Sequence, residues 1–75
     1  MNEEKKRQAR AVLDGYIDAH NAARRAGLPF TAARELLAIE KLILHFAKKG
    51  AIFSIEYEKN NKYIRLVTDE KGGDE

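Results

Sequence analysis

The chain has 75 residues, no cysteine and a formal net charge of +2. That length allows one domain, and the lack of cysteine excludes disulfides, thiolate zinc sites and a cysteine nucleophile. No apolar run approaches the ~20 residues of a membrane span, and the charged start MNEEKKRQ is unlike a signal peptide, so a soluble cytoplasmic protein is expected.

The charge is uneven. Of the 14 Lys+Arg and 12 Asp+Glu, one and four respectively lie in residues 69–75, which leaves the body at +5. A body of that sign attracts nucleic acid or an acidic protein surface, and it also serves solubility. The segment 69–75, DEKGGDE, is polar and without period, and predicts a disordered acidic tail behind a single domain over 1–68.

A first helix is predicted over 2–26. Asn2 is a candidate N-cap, and Glu3 and Glu4 suit the positive end of the dipole. Ala9, Val12, Leu13, Tyr16, Ile17, His20 and Ala23 share one face. Arg7, Arg10, Asp14, Asp18, Asn21 and Arg25 lie opposite. The apolar face keeps its phase across Gly15, so one continuous helix is expected. Gly27 fits a left-handed C′ position. Leu28 and Phe30 then read as plugs on the helix pair, with Thr31 as the next N-cap.

The central helix, over 31–50, reads TAARELLAIEKLILHFAKKG. Leu36, Ile39, Ile43 and Phe46 form its main apolar line. Leu37 and Leu44 extend this on one side and Leu42 on the other, so the arc exceeds half the circumference and calls for two packing surfaces. The first helix and a following hairpin would supply them, and a homodimer would supply a third. Gly50 is the stop.

Residues 52–57 and 63–68 alternate as strands around Lys59-Asn60-Asn61-Lys62. A two-residue type I′ turn at Asn60-Asn61 sets Glu58 opposite Tyr63, Tyr57 opposite Ile64, Glu56 opposite Arg65, Ile55 opposite Leu66 and Phe53 opposite Thr68. Phe53, Ile55, Tyr57, Ile64 and Leu66 then face the helices. The fold expected is α+β, two helices and a two-stranded antiparallel hairpin.

No catalytic constellation, metal-ligand spacing or cofactor motif is present, so a non-enzyme without a cofactor is expected. Ser54, the one serine, lies on the polar face of the hairpin. His20 lies on the inner face of the first helix as an interface-edge residue hydrogen-bonded to a backbone carbonyl or in the neighbourhood of Tyr16, or as a pH-sensitive packing residue. His45 lies on the outer face of the central helix.

That outer face carries Arg34, Lys41, His45, Lys48 and Lys49, and the hairpin tip adds Lys59 and Lys62. Two consecutive basic elements could meet one phosphate backbone together, and a solvated helix face has the same composition. The stretch GLPFTAARELLAIEKLILHFAKKGAIFSIEYEKNNKYIRLV resembles the second half of a winged helix-turn-helix domain: a Gly-Leu-Pro turn, a helix ending in Lys-Lys-Gly, and a two-stranded wing with a polar tip. The resemblance implies a small DNA-binding regulator, and a homodimer is expected because symmetric dimers are the common way for small DNA readers to gain area. Arg34, Lys41 and His45 would face the major groove, and Lys59 and Lys62 would be wing contacts. The alternative is a protein-interaction module such as a small phage-type adaptor or inhibitor. The wide apolar girdle, Tyr63 and Val67 on the hairpin's outer face, and an edge strand free to pair favour it.

Overall fold

The computed structural model describes residues 1–67. In chain order it contains α1 (Glu3–Arg25), α2 (Pro29–Lys48), β1 (Ser54–Glu58) and β2 (Tyr63–Val67). The arrangement is the expected α+β one, with β1 and β2 pairing antiparallel. The tail over 69–75 and the pairing of Phe53 with Thr68 lie outside the described residues. Neither helix among the described residues is long and apolar enough to cross a membrane.

α1 begins where its cap predicts. Asn2 Oδ1 accepts the Lys5 N–H at 2.8 Å, and Glu3 and Glu4 occupy the first turn. The helix runs through Gly15 without interruption. It ends in a Schellman motif: Gly27, at φ 75°, donates its N–H to the Arg24 carbonyl at 3.1 Å, and Leu28 donates to Ala23 at 2.9 Å. α2 ends the same way. Gly50, at φ 96°, bonds Ala47, and Ala51 bonds Phe46.

The start of α2 differs from the expectation. Thr31 is not the N-cap; Leu28 is, without a side-chain cap bond, and Pro29 opens the helix. Proline's fixed φ and missing N–H suit the first helical position, and here they outweigh a threonine cap two residues later. The Schellman motif has already placed Leu28 at the turn. Phe30 is therefore helical rather than a plug. It is 85% exposed, and Leu28 is 50% exposed.

The hub of the core also differs. Ala9, Leu13 and Ile17 of α1 meet Ile39 of α2, Ala51, Phe53 and Ile64, with Leu36, Leu42, Ile43, Phe46, Ile55 and Leu66 packed around them. α1 packs against both α2 and β2 and joins the two layers. α2 buries only Ala32 and Ile39 completely. Its C-terminal end reaches the hairpin through Phe46, whose ring stands edge-on to Phe53 at 5.9 Å. Leu37 and Leu44, expected to widen the packed arc, are 58% and 64% exposed. On α1 the same narrowing leaves Val12 and Tyr16 exposed.

The hairpin has the register that its alternation predicts, from Ser54 opposite Val67 to Glu58 opposite Tyr63. Glu56 and Arg65 form the cross-strand ion pair on the solvent face. Tyr63 and Val67 on that face are half-buried, while Tyr57, on the inner face near the tip, is exposed. The turn is longer than a two-residue type I′ connection. Lys59, Asn60 and Asn61 all have positive φ, and the Lys62 N–H reaches both the Glu58 and Lys59 carbonyls at 3.2 Å.

That change has a structural consequence. In an antiparallel ladder the N–H and C=O of one residue point to the same side. A two-residue turn would aim those of Ile64 at Tyr57. Here they point outward to α1, where the Asn21 side chain takes both. Asn21, predicted on the solvent face, thus occupies the outer edge of β2 at Ile64.

Candidate interaction surface on the second helix

Sequence spacing and helix geometry build this surface directly. Ile39 is buried against α1, so residues half a turn away on α2 face outward. Phe30, Leu37 and Leu44 lie on that side at intervals of seven residues, all exposed. Arg34, Lys41 and Lys48 run beside them at the same interval, also exposed. Seven residues make nearly two full turns, a rise of about 10.5 Å, so each set forms a nearly straight row. The opposite flank of the apolar row carries Ala33, Glu40 and Ala47.

The predicted basic residues are therefore solvent-facing, and the structure places large apolar side chains among them. Arg34, Lys41, Lys48 and Lys49 form no ion pair with a described residue. His45, on the far flank of the basic row, stands edge-on to Phe46 at 5.6 Å. Lys48 closes α2 and Lys49 is its C-cap, where the helix dipole favours cations. Glu35 turns the other way, into a shallow groove that it shares with Ala11, Val12, Gly15, Tyr16 and Ala19 of α1.

Lys59 and Lys62 are exposed at the hairpin tip, but at the other end of the molecule from Lys48 and Lys49. Gly50 lies beside Met1, which puts the end of α2 at the start of α1. The strand residue Ile64, next to the tip, is bonded to Asn21, near the end of α1. About 19 residues of helix, some 28 Å, separate those two points. The geometry brings Arg34, Lys41 and Lys48 into one row and leaves the tip lysines apart from the row's basic end.

Sequence reasoning missed Phe30, Leu37 and Leu44 as surface residues. Their signal was the seven-residue interval in phase with Arg34, Lys41 and Lys48, which is distinct from the Ile39–Phe46 line. His20 is buried on α1 and His45 is exposed on α2. Among the described residues, no group of three or more His, Cys, Asp or Glu side chains is arranged to hold a metal ion.

No family model, curated protein or solved structure matches the chain.

Proposed function

We propose that the chain is a small non-enzymatic interaction module that works by docking a protein on the outward face of α2. The observation that supports this is the exposure of Phe30, Leu37 and Leu44 in one row, in line with the basic row. Isolated apolar residues on a surface need no explanation, but an aligned set rimmed by charge is the usual composition of a protein-docking face. A phosphate backbone is held by cations and hydrogen-bond donors, and leucine and phenylalanine offer it nothing.

Duplex DNA is the second reading, that of a small winged-helix-like regulator. It is supported by the basic side chains of Arg34, Lys41, His45, Lys48 and Lys49 along the exposed side of α2, and by Lys59 and Lys62 at the tip as separate backbone contacts. A homodimer would fit either reading.

Two variants of the full chain separate the two. Leu37→Ser/Leu44→Ser removes the apolar row, and Lys41→Glu reverses the middle of the basic row. Docking on this face predicts that a photocrosslinker at position 33, on the exposed flank of the apolar row, captures one protein partner in the native cell, and that Leu37→Ser/Leu44→Ser abolishes the capture. DNA binding predicts a salt-steep mobility shift that Lys41→Glu abolishes and Leu37→Ser/Leu44→Ser leaves intact. The second pattern without the first would overturn the proposal.

A further inference from the structure

We infer that the occupant of this face is an amphipathic helix of another protein whose apolar seam is bordered by Asp and Glu. This rests on the docking function proposed above and names the class of partner.

The helical form follows from spacing. Phe30, Leu37 and Leu44 repeat about every 10.5 Å along α2. Same-face side chains of a strand repeat every ~6.8 Å, so a strand in step with Phe30 and Leu44 lies about 3 Å out of step at Leu37. A facing helix has the same repeat as α2 and can seat its own apolar residues between Phe30 and Leu37 and between Leu37 and Leu44. The small residues Ala33 and Ala47 on one flank let such a helix approach closely. From Phe30 to Lys48 the face is ~27 Å long, enough for about five turns of partner.

The charge follows from the flanks. Arg34, Lys41 and Lys48 border one side of the apolar row, and none is paired with a described residue. Glu40 is the one acid on the other side. In paired helices the residues bordering the seam select partner and orientation by charge. An acidic flank on the incoming helix therefore satisfies three cations and fixes which way round it lies.

A second copy of α2 fits less well. An antiparallel pair related by a two-fold axis brings like flanks together, so Arg34, Lys41 and Lys48 would face their own counterparts. A parallel pair matches Glu40 with Lys41 and leaves Arg34 and Lys48 opposite alanines. A second copy of α2 therefore does not supply the acids this surface lacks.

The test uses the full chain and two synthetic helices of about 20 residues that share a leucine seam with seven-residue spacing. One carries Glu along the flanks of the seam and the other Lys. Fluorescence anisotropy is expected to show saturable binding of the Glu helix and none of the Lys helix at up to about 100 µM, a range that still registers weak complexes. Leu37→Ser/Leu44→Ser and Arg34→Glu/Lys41→Glu/Lys48→Glu should each weaken the Glu helix by tenfold or more, and the charge-reversed variant should now take the Lys helix. Urea melts of each variant confirm that it is folded.

Equal binding of both helices, or Glu-helix binding that survives Leu37→Ser/Leu44→Ser, overturns the inference. So does sedimentation equilibrium that finds a dimer dissolved by that double substitution. Capture of a protein partner at position 33, with no binding of the Glu helix, removes the acidic helix and leaves the docking function standing. Salt-steep DNA binding with no capture removes both.

Discussion

The Asn21 carboxamide holds both main-chain groups of Ile64, donating from Nδ2 to the carbonyl at 2.9 Å and accepting the N–H on Oδ1 at 3.0 Å. It serves as one residue of a third strand and ties β2 to α1 where a bare edge would otherwise lie. Asn21→Ala leaves both groups of Ile64 without a partner in a half-buried setting. It should lower stability by about 2 kcal/mol in urea melts, a large share for a domain this small. Asn21→Asp keeps the acceptor for the Ile64 N–H but, once ionised, has no donor for the Ile64 carbonyl, so at about pH 7 it should also be less stable than wild type in urea melts.

His20 extends the same network. It is 1% exposed, and its Nδ1 lies 2.9 Å from Asn21 Oδ1. The two bonds to Ile64 fix which end of the Asn21 carboxamide is oxygen, so the imidazole proton belongs on Nδ1. The partner is thus a side chain on the next residue rather than a backbone carbonyl. Nitrogen shifts of the neutral ring should report the Nδ1-protonated tautomer. Nε2 is buried without a hydrogen-bond partner among the described residues. His20→Leu removes that atom and keeps most of the volume, so its stability should stay within about 1 kcal/mol of wild type. His20→Ala opens a cavity and should lose about 2 kcal/mol or more. Equal losses in the two would contradict this.

Sequence and structure agree where one short-range signal decides the outcome. Alternation sets the hairpin register, and each helix stops at a glycine that takes positive φ. They part where the outcome depends on which element docks where. α2 is apolar around most of its circumference, and periodicity alone cannot say which side meets protein. Leu37 and Leu44 were credited to the core for that reason, and the mixed character of the basic face went unseen. Asn21 is polar and lies among charged neighbours on the helical wheel. Only the phase of the turn, set by Lys59 joining Asn60 and Asn61 at positive φ, turns Ile64 toward it. The basic row itself was legible, because every member lies opposite Ile39. Its distance from Lys59 and Lys62 was not, because it depends on the hairpin docking on α1.

The three glycines in or beside the helices should respond oppositely to alanine. Gly15 lies mid-helix with nothing within 4 Å of a Cβ placed there, so Gly15→Ala should stabilise by up to about 1 kcal/mol. Gly27 and Gly50 sit at φ 75° and 96°, where a side chain is strained, and a Cβ on Gly50 would also come within 3.3 Å of the Met1 nitrogen. Each of those substitutions should destabilise by about 1 kcal/mol or more. In a domain of this size the shifts amount to roughly 4–8 °C per kcal/mol in a thermal melt.

The two sides of α2 make the sharpest stability comparison. Ile39 is fully buried between Leu13, Ile17 and their neighbours, so Ile39→Ala should lose about 2–5 kcal/mol and could unfold the chain. Ile39→Val should lose about 1 kcal/mol and remain folded, so it serves as the measurable form of the same test. Leu37→Ser and Leu44→Ser lie outside the core and should each stay within about 0.5 kcal/mol of wild type in urea melts. A large loss at Leu37 or Leu44 in the isolated chain would mean that these leucines pack within the folded unit. A loss that grows with protein concentration would instead place them in a contact between copies. A negligible loss at every concentration leaves them free for a different chain, the condition that docking on this face requires.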